Sequence, residues 1–217
     1  MASAIGWQFG GAIVIDDQGC IHWDPDPPGD PQDPRTPVSD GDLEDIFIYD
    51  NEVFDMGMNG IATLRFISKK FGPIAIVTLT IEFNRIHNNL QNDLGGKGIN
   101  AALPVGFGGI SLISVRVLSV RDNWIEENGP SHLDPVCGVF VRQGTALAFE
   151  QNRIRDNGQF QETAKAPTPG PRAGIWIGAS KASLGLPTLA VQGNQVVSPL
   201  GPALEAVGIG PMLIEGN

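Results

Sequence analysis

The stretch Leu147-Ala-Phe-Glu-Gln-Asn-Arg-Ile-Arg-Asp-Asn-Gly158 is repeated along the chain, and the repeat predicts the fold. It reads as two short strands that end in turns at Asn152 and Asn157. Residues 118–129 match it position for position, and residues 79–89 match nearly all of it. Partial copies begin at Ile46, Leu189 and Met212. The first asparagines of the six copies are Asn51, Asn84, Asn123, Asn152, Asn194 and Asn217. Such an internal repeat indicates a stacked architecture.

A third strand completes each unit and begins with a glycine. These strands start at Gly60, Gly98, Gly138, Gly174 and Gly208. The unit is therefore Gly-φ-x-φ, a variable loop, φ-x-φ-x-x-Asn and x-φ-x-x-Asn, where φ is apolar. The alternation within each strand demands one buried face. Stacking successive units buries that face and pairs the strands in parallel at a spacing of about 4.8 Å.

The chain has 217 residues and is expected to form one domain over 1–217. Residues 11–16 read as an opening strand, and a Pro- and Asp-rich insertion follows at about 17–42. Further insertions between strands or units are expected at about 65–78, 103–117, 159–171 and 179–188, and a short loop at 143–146. The unequal spacing of the repeats is explained by these insertions.

The signature φ-x-φ-x-x-Asn-x-φ-x-x-Asn over about residues 43–217 resembles the right-handed parallel β-helix family of pectate lyases, polygalacturonases and phage tailspikes. The resemblance implies an all-β, right-handed parallel β-helix of about six coils with loop insertions. It does not imply an activity. The polygalacturonase catalytic motifs are absent as a set, and the clustered aspartates of a pectate lyase calcium site reduce to Asp50 and Asp122, two coils apart.

Composition excludes several classes of function. The net charge of −10 argues against nucleic acid and against anionic membranes as partners. The two cysteines, Cys20 and Cys137, cannot form a disulfide framework or a zinc cluster by themselves. Neither a signal peptide nor a membrane-spanning apolar run is visible. We expect an extracellular or cell-surface location as part of a larger protein.

The repeated asparagines are interpreted as structural. An asparagine at the same turn of every coil tolerates left-handed backbone conformations, and stacked amides can hydrogen-bond along the axis as a ladder. The inward positions of the strands are all apolar, for example Leu79 and Ile81, Leu118 and Val120, and Leu147 and Phe149. Any chemistry is therefore expected on the outer face.

One outward column contains the candidate catalytic residues. It holds Glu82, Arg121 and Glu150 in successive coils, flanked by Tyr49, Gln192 and Glu215. Two carboxylates around a guanidinium are what a polysaccharide lyase or a glycosidase needs. A surface column of alternating charge, which avoids like-charge contacts between coils, explains the same residues without catalysis.

Aromatic and cationic residues supply the candidate ligand-binding positions. The candidates are Trp124, Phe140, Arg142, Trp176, Arg153 and Arg155. Trp124 lies between Arg85 and Arg153 in its column, where it would stack a sugar ring or the arginine side chains. Phe140 and Trp176 should point outward in adjacent coils as a carbohydrate platform, unless the insertions at 103–117 or 159–171 cover them.

In the insertion at 17–42, Asp24, Asp26, Asp30 and Asp33 offer oxygen ligands for calcium, but the prolines and the lack of a terminal bidentate Glu favour a solvated acidic loop. The chain stops at Asn217, in the ladder position, so its last strands would form an uncovered edge open to homo-oligomerisation or to a larger assembly. We expect a non-catalytic β-helix scaffold that presents loops to a glycan or a partner protein. The alternative is a carbohydrate-active enzyme acting on the outer face.

Overall fold

The computed structural model describes residues 13–15 (backbone only), 43–63, 76–92, 106–158, 168–183, 185–197 and 200–217. Every regular element in these ranges is a β-strand. The strands are β1 (Ile13–Ile15), β2 (Ile46–Tyr49), β3 (Glu52–Phe54), β4 (Ile61–Thr63), β5 (Ile76–Glu82), β6 (Arg85–His87), β7 (Phe107–Arg121), β8 (Trp124–Glu126), β9 (Val136–Glu150), β10 (Arg153–Arg155), β11 (Ile175–Lys181), β12 (Leu189–Gln192), β13 (Gln195–Val197), β14 (Leu204–Ile209) and β15 (Met212–Glu215). No helix of the described residues could cross a membrane.

All pairings between these strands are parallel, and they form two sheets. The larger sheet contains the first and second strands of each unit, in the orders β1-β4-β7-β9-β11-β14 and β2-β5-β7-β9-β12-β15. The smaller sheet contains the third strands, in the order β3-β6-β8-β10-β13. Equivalent residues of successive units are partners, such as Ile86, Ile125 and Ile154. The all-β class and the parallel stacking of repeats are confirmed.

The third and fourth units have no loop between their first and second strands. β7 pairs through its first half with β4 and through its second half with β5, and β9 does the same with β11 and β12. The insertion expected at 103–117 is therefore wrong for residues 107–117, and the loop expected at 143–146 lies inside β9. The strands β5 and β11 likewise include residues 76–78 and 179–181.

The glycine-led strand of the third unit was placed at the wrong glycine. Ile110, not Ile99, is the register partner of Ile61 and Val139, so the glycine of this unit equivalent to Gly60 and Gly138 is Gly109, inside β7. Residues 98–101 lie outside the described ranges. A Cβ on Gly109 would lie 2.6 Å from Cγ2 of Ile125, and one on Gly138 would lie 2.3 Å from Cγ2 of Ile154. The glycine is required because the backbone packs directly on the third strand.

Two ladders of asparagine side chains join the units. In the first, Nδ2 of each asparagine donates to Oδ1 of the next at 2.9 to 3.0 Å; it runs through Asn51, Asn84, Asn123, Asn152, Asn194 and Asn217. The second joins Asn89, Asn128 and Asn157 at 2.8 to 2.9 Å. Each Oδ1 of the first ladder, from Asn84 onward, also accepts from the backbone N–H of the preceding asparagine. The expected ladder is confirmed.

The left-handed backbone conformation belongs to the residue before each ladder asparagine and not to the asparagine. The first-ladder residues with positive φ are Asp50, Phe83, Asp122, Gln151, Gly193 and Gly216, at 52° to 65°. This turn points the following amide inward, so that the asparagine can bond to the next unit. The sequence assigned the conformation to the wrong neighbour.

The core between the two sheets is a continuous apolar cluster. The expected inward residues Leu79, Ile81, Leu118, Val120, Leu147 and Phe149 are at most 1% exposed. The two ends of the stack differ. In the first unit Ile48 and Val53 are buried, whereas in β15 Met212 is 41% and Ile214 is 54% exposed. The strand β15, which pairs with β12, thus exposes apolar side chains at this end of the stack.

Candidate functional site

The charged column on the second strands has the predicted order. Tyr49, Glu82, Arg121, Glu150, Gln192 and Glu215 are successive register partners. Nη2 of Arg121 lies 3.4 Å from Oε1 of Glu82, and its Nε lies 3.5 Å from Oδ2 of Asp122. Among the residues that the structure describes, no ion pair joins Glu150 to Arg121. The guanidinium thus pairs with Glu82 and Asp122 and not with Glu150, although Glu82 and Glu150 are both on strands adjacent to it.

The surroundings of this column are a sheet surface. Residues 107–117, expected to lie in an insertion, continue the same sheet as part of β7. The partners Thr80, Ser119 and Ala148, two residues before Glu82, Arg121 and Glu150, are small and half-buried. Strand β7 therefore builds no wall beside the column, which lies on a sheet surface over the residues that the structure describes.

On the smaller sheet, Trp124 is 49% exposed and stacks with an arginine. The Cζ atom of Arg153 lies 5.1 Å from the centre of the Trp124 ring, within cation–π distance. Arg85, on the other side, pairs instead with Glu52 at 3.4 Å and Glu126 at 3.3 Å. One face of the indole is thus used within the protein.

Arg155 forms a local ion pair. Its Nε donates to Oδ2 of the adjacent Asp156 at 2.6 Å, and this hydrogen bond raises the pKa of the exposed guanidinium. Arg155 also points outward beside Glu126 in the register of the smaller sheet. Of the sequence-predicted binding residues, Trp124, Arg153 and Arg155 therefore share one sheet face.

Phe140 does not form an open platform with Trp176, because the stated alternative holds there: residues in the range 103–117 cover it. The two rings stack in parallel with centroids 4.8 Å apart, but Phe140 is 0% exposed and Trp176 is half-buried. The backbone at Gly106 covers Phe140, because a Cβ there would lie 2.0 Å from its ring. Arg142, two residues after Phe140, is also partly buried. The stack packs the first strands together and leaves no open ring at Phe140.

The two most exposed aromatic side chains of the described residues were not among the predicted binding residues: Phe47 is 71% exposed and Tyr49 is 60% exposed. Phe83, which was not predicted either, is 46% exposed, close to the value for Trp124. The rings of Tyr49 and Phe83 meet edge to face with centroids 5.4 Å apart. Phe83 has a φ of 56°, a conformation that costs a bulky residue about 1 to 2 kcal/mol. The signal in the sequence was an aromatic at a position where other units carry Asp, Gln or Gly.

Phe54 lies around the corner on β3 and is 44% exposed. Its ring stacks on the His87 ring at 5.4 Å, and Nε2 of His87 lies 3.1 Å from Oε1 of Glu52. Glu52 therefore contacts both His87 and Arg85, and the three side chains form a polar network on the smaller sheet. Phe54 is thus already partnered on one face.

The cysteine within the described residues, Cys137, is a packed core residue and not a reactive thiol. Cys137 is buried, and burial raises the pKa of its thiol to about 12. The nearby Arg172 has its pKa lowered by burial, and its Nη2 donates to the carbonyl of Leu133 at 2.9 Å. A thiol with so high a pKa stays protonated and is a poor nucleophile near neutral pH.

The part of the chain that the structure describes contains no candidate metal site. No group of three or more His, Cys, Asp and Glu side chains there is arranged to hold a metal ion. The calcium candidates Asp24, Asp26, Asp30 and Asp33 lie outside the described residues.

Comparison with known proteins gave no relative: no family model, curated protein or solved structure matches the chain.

Proposed function

We propose that the chain is a right-handed parallel β-helix that acts as a non-catalytic binding module. Six units stacked in parallel register, with equivalent strand positions aligned in columns on two sheets, support this proposal. The module would present its outer columns and inserted segments to a glycan or to a partner protein. An extracellular or cell-surface location within a larger protein is part of the same proposal.

The observation that carries the non-catalytic assignment is the state of the charged column. Arg121 is paired with both Glu82 and Asp122, and the neighbouring residues form a sheet surface. A general acid and base require groups that converge on one reacting atom from a positioned site. A flat column whose central cation is already neutralised favours binding over bond cleavage.

A panel of polysaccharides, measured both for binding and for the release of reducing or unsaturated ends, tests the proposal. We expect binding of one or more members, or of none if the partner is a protein, and no release of ends from any. Catalytic release of ends by the purified chain would contradict the proposal.

The second candidate is a carbohydrate-active enzyme, a lyase or a glycoside hydrolase. One observation favours it: Glu82, Arg121 and Glu150 are consecutive partners, with Glu150 outside the ion pair and available as a base. If ends are released, Glu150→Gln should abolish the release, whereas Gln192→Glu, one unit further along the same column, should leave it intact.

Assembly through the open edge is a separate part of the proposal. The exposed side chains Met212 and Ile214 on β15 continue the core columns of Leu189 and Val191, which are buried. Covering them removes apolar surface from water and pairs an open strand edge. Sedimentation velocity should show association that Ile214→Lys weakens; a wild-type chain that stays monomeric at high concentration would contradict this part.

A further inference from the structure

An aromatic patch, formed by Phe47, Tyr49 and Phe83, interrupts the repeat in the first two units. In the following four units, the register partners of Tyr49 are charged or polar: Glu82, Arg121, Glu150 and Gln192. The register partners of Phe47 in the same units are small: Thr80, Ser119, Ala148 and Ala190. The fold therefore does not require aromatic residues at these positions. Exposed apolar patches of this kind mark interaction sites.

Phe83 is the clearest departure from the repeat. Its turn position is occupied in the adjacent units by Asp50 and Asp122, and in later units by Gln151 and Gly193, residues that suit a positive φ better. A large ring held in this conformation, nearly half-exposed and in contact with Tyr49, satisfies no requirement of the turn. Strained positions that persist on a rigid scaffold often serve binding.

The patch is bordered by carboxylates. Asp50 follows Tyr49 directly, Glu44 and Asp45 precede β2, and all three are exposed. Within the described residues, no ion pair joins these three carboxylates to an arginine or lysine. By contrast, Glu82 and Glu126 on the outer face have cationic partners, Arg121 and Arg85 respectively.

We propose that the aromatic patch binds a lysine- or arginine-rich segment of a partner protein. Aromatic faces attract cationic side chains, and the bordering carboxylates add ion pairs of complementary charge. The chain already makes this contact once within itself, where Arg153 lies over Trp124. The proposal rests on the proposed binding function and names the class of partner and the surface.

The charge of the chain decides between occupants. A second copy carries the same net charge of −10 and is repelled from an acidic border. The acidic border also repels an anionic ligand, and the nearby Arg121 already forms ion pairs with Glu82 and Asp122. A basic segment gains from both the local border and the field of the whole chain.

Fluorescence anisotropy with labelled oligoarginine, oligolysine and oligoglutamate peptides of equal length tests the proposal on the full chain. We expect both cationic peptides to bind, oligoarginine more tightly because guanidinium groups stack on rings, and oligoglutamate not to bind. Raising the salt concentration should weaken binding. The variant Phe47→Ala/Tyr49→Ala keeps the net charge and should bind oligoarginine about tenfold more weakly or worse.

Matched variants separate the patch from general acidity. Phe83→Gly removes the ring and relieves the turn, so it should fold and bind more weakly, while Gln151→Gly makes the same backbone change two units away and should bind as the wild type does. Asp45→Asn/Asp50→Asn should weaken binding more than Glu205→Gln/Glu215→Gln, although both raise the net charge by the same amount.

Equal binding by the wild type, Phe83→Gly and Phe47→Ala/Tyr49→Ala would overturn the proposal, as would no binding of either cationic peptide. A third outcome is that the wild type binds a neutral oligosaccharide and no cationic peptide, and that the aromatic variants lose the oligosaccharide binding. This outcome would overturn the basic-partner proposal and would agree with the proposed function as a binding module. Cleavage of a polysaccharide would instead contradict the proposed function and leave the peptide result to be judged by itself.

Discussion

Asn123 shows how one side chain holds three units together. Its Nδ2 donates to the carbonyls of Ile81 and Arg121 and to Oδ1 of Asn152, at 2.8 to 3.0 Å. Its Oδ1 accepts from the backbone and side-chain nitrogens of Asn84. The residue is 0% exposed, so none of these groups can be satisfied by bulk water when its partner is removed.

Replacing Asn123 by alanine should therefore destabilise the fold strongly. We expect the free energy of unfolding to fall by about 3 kcal/mol or more, because several buried polar groups lose partners at about 1 to 3 kcal/mol each. Urea unfolding followed by circular dichroism measures the change.

Asn51→Ala is the matched control, because Asn51 is the first member of the same ladder and is exposed. Its loss should reduce the free energy of unfolding by about 1 kcal/mol or less. Equal losses for Asn51→Ala and Asn123→Ala would show that the ladder contributes nothing through its buried bonds.

The sequence predicted the asparagine ladder, but it did not predict that the residue before each asparagine has a positive φ. The sequence places an asparagine at every turn, which made the amide the natural candidate for a left-handed backbone. The hydrogen bonds show why the preceding residue takes it: the asparagine must be oriented inward, which requires the turn one position earlier. Phe83 could not be identified as strained until this assignment was made.

At the scale of the strand, the glycine that opens each Gly-φ-x-φ segment is required because its backbone packs against the third strand of the same unit. At Gly138 an added methyl group would lie 2.3 Å from Cγ2 of Ile154 and 2.8 Å from the carbonyl oxygen of Gly174. Both are closer than any real contact, and one of them is backbone. The same arrangement recurs at Gly60 and Gly109.

Gly138→Ala should lower the free energy of unfolding by about 1 to 3 kcal/mol through overpacking. The exposed Gln143→Ala on the same strand should change it by about 0.5 kcal/mol or less. In chemical denaturation, the double variant Gly138→Ala/Ile154→Ala should lose less than the sum of its two single variants, because one methyl clash is removed. Strict additivity would contradict the contact.

The strand of the third unit was not predicted because its glycines are typical of a loop. Residues 105–110 read Val-Gly-Phe-Gly-Gly-Ile, which in isolation is typical of a loop. In the structure Gly108 and Gly109 are buried strand residues that other backbone approaches closely. A glycine that permits close packing and a glycine that permits a turn look the same in a sequence, so the register of the third unit was not predictable from it.

At the scale of the whole molecule, the repeat predicted which residues share a column, and it left open whether inserted residues cover them. Period-two alternation placed Phe140 and Trp176 correctly next to each other, and it placed Glu82, Arg121 and Glu150 in one line. The burial of Phe140 depends on the backbone at Gly106, far away in sequence. Contacts of that kind are set by tertiary packing and lie outside any local pattern.

Every functional argument above depends on the six units being stacked at one strand spacing each. Electron–electron dipolar spectroscopy of spin labels at Tyr49→Cys and Glu215→Cys, with Cys20 and Cys137 replaced by alanine, measures that stacking directly. These positions are five register steps apart, and Tyr49 and Gln192 are four. The account predicts a backbone separation of about 24 Å for the first pair, and a distance about 5 Å shorter for a Tyr49→Cys/Gln192→Cys pair. Equal distances for the two pairs, or a separation far above that value, would contradict the stacked architecture.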